Sequence, residues 1–480
     1  MFLKKIILPI LLGSFSIGFS QEKIASLNYE MEDSKGVSTI VDDEDKKILL
    51  LFNDKTKTDV FVLNETYEQI KTISITKDLK EKRQYLGYSK SEQQYYMYWM
   101  NSKEKTIEVK KFSLDQAHYT TTEIPFTLEK EILFNYVTVA NTFYIFSIVK
   151  NTNNINIYCF DKGQMLKKTI DCSHLKFINE KSKYTNFWKL YSENEIEYYN
   201  RGIKNINTQT NNSIVLSAQK KKAYVVDKSV ILSFDNNPTF NQNLIINLND
   251  FSVTQKVLQY ENVELKDEFS HTHYNSFILN DRVFLIKTSE EKLFLTIKDL
   301  NNNELKKITY TKTDLGQYLN SDVLQESGKI KSRRVLEKPR QFVDKVHYST
   351  PAVTGVFEDN KYILTIGGVS IPDQKTNAMI SGGIAGGGLI GGLIMGAISY
   401  ASYNHSIDSY ANRTVIQLKL VLDENLNHVT DKAEDSNFDK LRMFVEENKS
   451  NDYPHIFTVG KNLMYSDYDK KNKTYNLYQF

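Results

Sequence analysis

The chain has 480 residues, with 61 Lys and Arg against 59 Asp and Glu, and two cysteines, Cys159 and Cys172. That charge balance leaves no global field for nucleic acid, and two cysteines exclude a disulfide scaffold. Forty per cent hydrophobic residues and only seven prolines exclude a disordered chain, and 30 Tyr with 26 Phe suit strands that pack aromatic pairs.

Met1 to Ser20 carries Lys4 and Lys5, an apolar run from Ile6 to Leu12 that continues through Phe15 and Ile17, and then the small residues Gly18 and Ser20. This order reads as a secretory signal cut after Ser20, so residues 1–20 are expected to be a leader and 21–480 the exported domain. No cysteine follows the leader to take a lipid anchor. The expected destination is the periplasm or cell envelope, with membrane association.

The exported part repeats one pattern: an apolar or aromatic strand, a polar turn, a second alternating strand, then a short turn containing Asx or Lys into a third. The first copy runs through Lys47 to Phe52, Asp59 to Leu63 and Ile70 to Ile75. The second runs through Tyr95 to Met100 and Thr106 to Leu114, and the third through Phe143 to Val149, Ile155 to Phe160 and Met165 to Ile170. These begin about 48 residues apart, within the range for four-stranded propeller blades. In the third copy the turn Asp161-Lys162-Gly163-Gln164 sets Cys159 opposite Met165 or Leu166. Cys172 then falls about 20 Å further along the partner strand, so no disulfide is expected.

Later copies are Ser229 to Phe234 with Asn243 to Leu248, Val283 to Ile286 with Leu293 to Ile297, and Lys361 to Ile366 with Thr414 to Leu422. A last copy, Asn462 to Tyr468 with Lys473 to Phe480, lacks its outer strand, which Ile24 to Tyr29 can supply to close a ring. Leu315 to Tyr348 reads as a long polar connection. Asp435 to Glu447 has a helical period, with Ser436 and Asp439 placed as a capping box.

On these residues the chain resembles β-propellers as an architecture, without the WD dipeptides or kelch glycine pairs that name a family. The resemblance implies an all-β fold of seven blades with a Gly-rich apolar helical insertion in the penultimate blade. Six or eight blades, two sheet domains and a transmembrane barrel are the rival arrangements.

That insertion is the longest uncharged run after the leader: from Thr376 to Ile407 there is no Asp, Glu, Lys or Arg. As a helix, Met379 to Ala401 would extend roughly 35 Å, enough to cross a bilayer. Eight glycines weaken such a helix, at about 1 kcal/mol each relative to alanine. They are ordered as Gly383/Gly387/Gly391 and Gly388/Gly392/Gly396, rows that admit another backbone closely, with Leu389, Ile390, Leu393 and Ile394 on the other arc. If the flanking strands are neighbours in one sheet, residues 376–407 leave and return at points about 5 Å apart, which excludes a single crossing. A projecting helix and a pair of short helices dipping partway into lipid remain open. So does the bland alternative of a buried helix lying against the propeller.

Candidate chemistry is sparse. His271-Thr272-His273 alternates as a strand would, which puts two imidazoles on one face as a metal pair needs, but no third ligand stands at a recognised spacing. Asp42-Asp43-Glu44-Asp45 reads as a solvated turn able to take a hard cation. Lys331, Arg333, Arg334, Lys338 and Arg340 form the densest basic cluster, joined less closely by Lys220-Lys221-Lys222, and make a candidate site for an acidic envelope component. No P-loop, Gly-x-Ser-x-Gly, His-Glu-x-x-His or Cys-x-x-Cys motif occurs, and no cofactor is implied. The reading is an exported, non-enzymatic binding or scaffold protein that meets membrane lipid or copies of itself through residues 379–401. The alternative is a propeller hydrolase or lyase acting on glycans in a central channel.

Overall fold

The computed structural model describes residues 22–31, 36–54, 56–76, 84–101, 105–115, 118–193, 202–264, 271–370, 410, 413–448 and 452–480. The expected leader, 1–20, and the Gly-rich insertion, 376–407, lie outside the described residues.

Among the described residues, seven sheets of four or five strands, antiparallel except for one outer pair, follow one another along the chain. The first pairs Gly36–Asp42, Lys47–Asn53, Lys57–Leu63 and Gln69–Thr76 in order. The second pairs Gln84–Ser91, Gln94–Asn101, Thr106–Ser113 and Tyr119–Pro125, and the third Glu131–Val139, Thr142–Val149, Asn154–Asp161 and Gln164–Asp171. In the fourth, Lys204–Ile206 runs parallel to Lys221–Val226, followed by Ser229–Phe234, Phe240–Asn247 and Val253–Gln259. The fifth pairs His273–Leu279, Arg282–Thr288, Lys292–Asp299 and Glu304–Thr311.

The sixth sheet places Thr350–Glu358, Lys361–Val369 and Thr414–Asp423 side by side, then adds Leu324–Ser327 and Lys329–Val335 from earlier in the chain. The seventh pairs Asp452–Val459, Asn462–Asp469 and Thr474–Gln479, and its outer strand is Glu22–Asn28. Leu27 therefore faces Tyr475 across the two ends of the chain, as the expected closure required.

Strand period two explains how these sheets stack. Along Lys47–Asn53, Leu49 and Leu51 pack with Tyr95, Met97 and Trp99 of the second sheet, whereas Ile48, Leu50 and Phe52 pack with Tyr475 and Leu477 of the seventh. Both faces are covered, so the strand reads as one continuous apolar run rather than an alternation. Shared cores join the second sheet to the third, the third to the fourth, the fourth through the fifth to the sixth, and the sixth to the seventh. The succession closes on itself, which is a propeller-like architecture. It is not one continuous barrel wall.

The outer turns carry the repeat as clearly as the strands do. Asn64, Asp299 and Asp423 each accept, on one side-chain oxygen, the backbone N–H groups two and four residues on, at 2.7–3.0 Å. The residue three places on, Tyr67, Asn302 or Leu426, takes a positive φ of 62°, 70° or 64°. In the third sheet Lys162 and Gly163 make the turn instead, with φ of 49° and 75°, and Cys159 pairs with Leu166. Both cysteines are free.

Three expectations need correcting. Leu315 to Tyr348 is no simple connection: it holds the two outer strands of the sixth sheet and a helix, Pro339–His347, with Phe342, Val343 and Val346 in the core. His271 and Thr272 lie outside a strand. The ladder starts at His273 because its partner Thr288 ends the neighbouring strand, leaving nothing for the two preceding residues to pair with. Lys220-Lys221-Lys222 is not a surface patch, since Lys221 and Lys222 are buried. The capping box is as expected, with Ser436 Oγ accepting Asp439 N–H at 3.1 Å ahead of helix Asn437–Glu447.

Candidate functional site

The sixth sheet holds most of the sequence-level candidates. Strands Lys361–Val369 and Thr414–Asp423 are adjacent and paired from Lys361↔Asp423 to Val369↔Val415. Beyond the last pair, Ser370 N–H donates to Thr414 O at 2.8 Å and Thr414 N–H donates to Ser370 Oγ at 2.7 Å. The returning chain is held as well: Arg413 N–H donates to Tyr410 O at 3.1 Å. The Arg442 guanidinium lies 3.5 Å from the Tyr410 ring centre, and Tyr410 packs with Ile214, Val215 and Phe438. Gly383, Gly387, Gly388, Gly391, Gly392 and Gly396 lie between these anchors, outside the described residues. No helix among the described residues is long and apolar enough to cross a membrane.

The five basic candidates are distributed along strand Lys329–Val335 and the start of helix Pro339–His347. Arg333 is committed inward: Nε meets Glu326 at 2.9 Å, Nη1 meets Asp435 at 3.3 Å, and Nη2 pairs with Asp439. Arg442 adds a 2.7 Å contact to Glu326, and Lys419 stands 3.5 Å from both Asp435 and Asp439. Asp439 is held below the usual carboxylate range; burial opposes this, and the charge of Arg333 does most to overcome it. Lys331, Arg334, Lys338 and Arg340 are exposed, with Lys331 3.6 Å from Glu447 and Arg340 3.2 Å from Asp344.

Lys220-Lys221-Lys222 turns inward because it opens the second strand of the fourth sheet. Lys222 and Asp235 are both 0% exposed, with Nζ and Oδ2 2.7 Å apart. Nζ also donates to Asn275 Oδ1 and Gln219 O, each at 2.6 Å. Asp235 accepts from Tyr260 OH at 2.5 Å, Asn241 Nδ2 at 2.8 Å and Ser276 Oγ at 3.0 Å. Burial opposes both charges, and Lys222 keeps Asp235 ionised. Lys221 donates to Tyr191 O and Glu193 O, and Lys220 lies 3.9 Å from the Tyr274 ring centre.

The acidic turn holds an internal cation. Lys90 Nζ lies 3.0 Å from Asp42, 3.2 Å from Glu44 and 3.1 Å from Asp45, joining the turns of the first two sheets. Its hydrogen bond holds Asp45 below its ordinary value. Among the described residues no group of three or more His, Cys, Asp or Glu side chains is placed to hold a metal ion.

The segment from Ile203 to Ala218 is a strap that ties three sheets together. Asn135 of the third sheet donates to Asn205 at 2.9 Å, Asn207 donates to Thr458 of the seventh at 3.2 Å, and Thr354 of the sixth donates to Asn212 O at 3.4 Å. The short helix Ile214–Ser217 then buries Ile214 and Val215 against the sixth and seventh sheets.

No protein-family model matches the chain, and no curated protein matches it. Among solved structures it is similar to the dihydro-heme d1 dehydrogenase NirN in complex with DHE, at 10% identity and a TM-score of 0.26 over 58% of this chain and 48% of that one. It is similar to the WD40 domain of SCAP from fission yeast, at 10% identity and 0.24 over 72% and 86%. It is also similar to an uncharacterized protein from Listeria monocytogenes EGD-e, at 9% identity and 0.27 over 71% and 82%. The chain spans about half the length of the NirN chain. Scores this low carry no argument, so the class rests on the sheets themselves: an all-β protein of propeller-like architecture.

Proposed function

We propose that the chain is an exported binding or scaffold protein, a seven-bladed propeller that presents residues 371–409 from one end of its sixth blade to membrane lipid or to further copies of itself. The observation that carries this reading is the closure of the sheet beneath that stretch, where Ser370 and Thr414 hydrogen-bond to each other. Strands Lys361–Val369 and Thr414–Asp423 are fully paired without the intervening residues, so the apolar run is additional to the fold. A run of 32 uncharged residues, 376–407, displayed from a finished sheet is an aggregation hazard unless lipid or another copy covers it. Exposed Lys331, Arg334, Lys338 and Arg340 on the same sheet and its helix add positive charge suited to an acidic envelope component. The role is one of binding, without a cofactor.

Detergent-free extraction tests it. The full-length protein is expected to pellet with membranes or to elute as an assembly, and a variant lacking residues 378–404 to be soluble and monomeric. Two equally soluble monomers would contradict the proposal.

A further inference from the structure

His273 and His347 come from distant stretches of chain, one opening strand His273–Leu279 and the other closing helix Pro339–His347. At the seam between the fifth and sixth sheets their ring centres are 5.7 Å apart, with planes inclined at 66°. Thr288 joins them. Its hydroxyl donates to the His273 carbonyl at 3.4 Å, accepts the His273 backbone N–H at 3.3 Å, and lies 3.3 Å from His347 Nδ1.

A hydroxyl has one proton to give; with that proton on the carbonyl, His347 Nδ1 is the donor, and this tautomer leaves a lone pair on Nε2. His347 is only 4% exposed, yet neither its Nε2 nor the His273 ring has a hydrogen-bond partner among the described residues. An unpartnered imidazole nitrogen beside a second, exposed and unpartnered imidazole leaves nitrogen lone pairs on both rings open to a ligand.

We propose that His273 and His347 together bind one divalent transition-metal ion of the Zn²⁺ or Ni²⁺ type, with water in the remaining positions. Imidazole nitrogens about 2.0–2.1 Å from such an ion put each ring centre roughly 3 Å from it. Centres 5.7 Å apart then straddle one ion at a bent angle. The Nδ1–H bond to Thr288 is the kind of outer hydrogen bond that orients metal-bound histidines. The pair differs from the one the sequence suggests: His271 is exposed and precedes the strand. With two protein ligands the ion keeps open positions, which suits an exchangeable ion more than a structural one.

Isothermal titration of the untagged full-length protein with ZnCl₂, and separately with NiCl₂, tests the site. One ion per chain is expected, with a Kd on the order of 10 μM. His273→Ala and His347→Gln are each expected to weaken binding by about tenfold or more, and His271→Ala by less than about twofold. His273 lies at the surface, so its variant carries the test even where His347→Gln impairs folding. Absence of binding to the wild-type protein at millimolar metal would overturn the proposal, as would binding that survives His273→Ala or is abolished by His271→Ala.

Discussion

Thr414 donates its backbone N–H to Ser370 Oγ at 2.7 Å, across 44 positions of sequence. This bond, with the 2.8 Å bond from Ser370 N–H to Thr414 O, closes the sixth sheet beneath the Gly-rich stretch. The excursion therefore begins and ends at neighbouring points at one end of two inner strands of the sheet.

The buried ion pair of the fourth sheet, at its seam with the fifth, gives a stability prediction. Lys222→Ala leaves Asp235 charged, with Tyr260, Asn241 and Ser276 still oriented toward it. The expected loss is about 3–5 kcal/mol in urea unfolding, with a clearly smaller loss when Lys222→Leu and Asp235→Leu are combined. Equal losses in the single and double variants would mean that the pair is not what holds the seam.

At the acidic turn, Lys90→Met removes the ammonium that Asp42, Glu44 and Asp45 surround. The variant is expected to lose about 3 kcal/mol. Thermal unfolding of the two proteins reads the difference, and a variant as stable as the wild type would mean that the ammonium does not hold this turn.

His455 predicts the pH dependence. It is 2% exposed, lies 2.9 Å from Thr39 Oγ1 across the closure of the first and seventh sheets, and is lowered by burial from 6.5 to about 4. The unfolded chain takes up a proton below about 6.5 that the folded protein refuses until about 4, so falling pH favours unfolding across that window. Above it the contribution is intact. Between pH 7 and pH 5 the wild type should lose roughly 2 kcal/mol more than His455→Gln in urea titrations. Parallel losses would place the acid sensitivity elsewhere.

Gly367 sits in strand Lys361–Val369 opposite Gln417, close against the backbone of Thr414–Asp423. A Cβ there would lie 1.8 Å from Ile416 O and 2.9 Å from Gln417 Cα, both backbone atoms with little room to move. Gly367→Ala is expected to cost about 3 kcal/mol or more, or to prevent folding. A melting temperature within a degree or two of wild type would contradict this register.

What the sequence disclosed follows from how each strand is buried. Lys47–Asn53 and Thr142–Val149 are covered on both faces and read as apolar runs, so the outer three strands of the first and third sheets, and the middle two of the second, were legible. The innermost strands were not. Gln84–Ser91 reads QYLGYSKS, and its Lys90 is buried only because three carboxylates of another sheet meet it. Leu324–Ser327 escaped notice because it pairs with Thr414–Asp423, about 90 residues later, and no local period signals such a partner. Lys222 looked like surface charge for the same reason: Asp235 and Asn275 reach it only through sheet pairing. His347 and His273 are 74 positions apart, a spacing that no metal motif describes.

The most direct measurement is a disulfide trap at the base of the excursion. Val369 and Val415 form the last cross-strand pair, next to the hydrogen-bonded Ser370 and Thr414, which makes it the closely spaced kind of antiparallel pair that a disulfide can bridge. In Val369→Cys/Val415→Cys, mild oxidation followed by peptide mass mapping should recover the 369–415 linkage in nearly all molecules, with the native circular dichroism spectrum kept. Two thiols that stay reduced and label independently with maleimide would place the flanking strands in separate bodies and contradict the account.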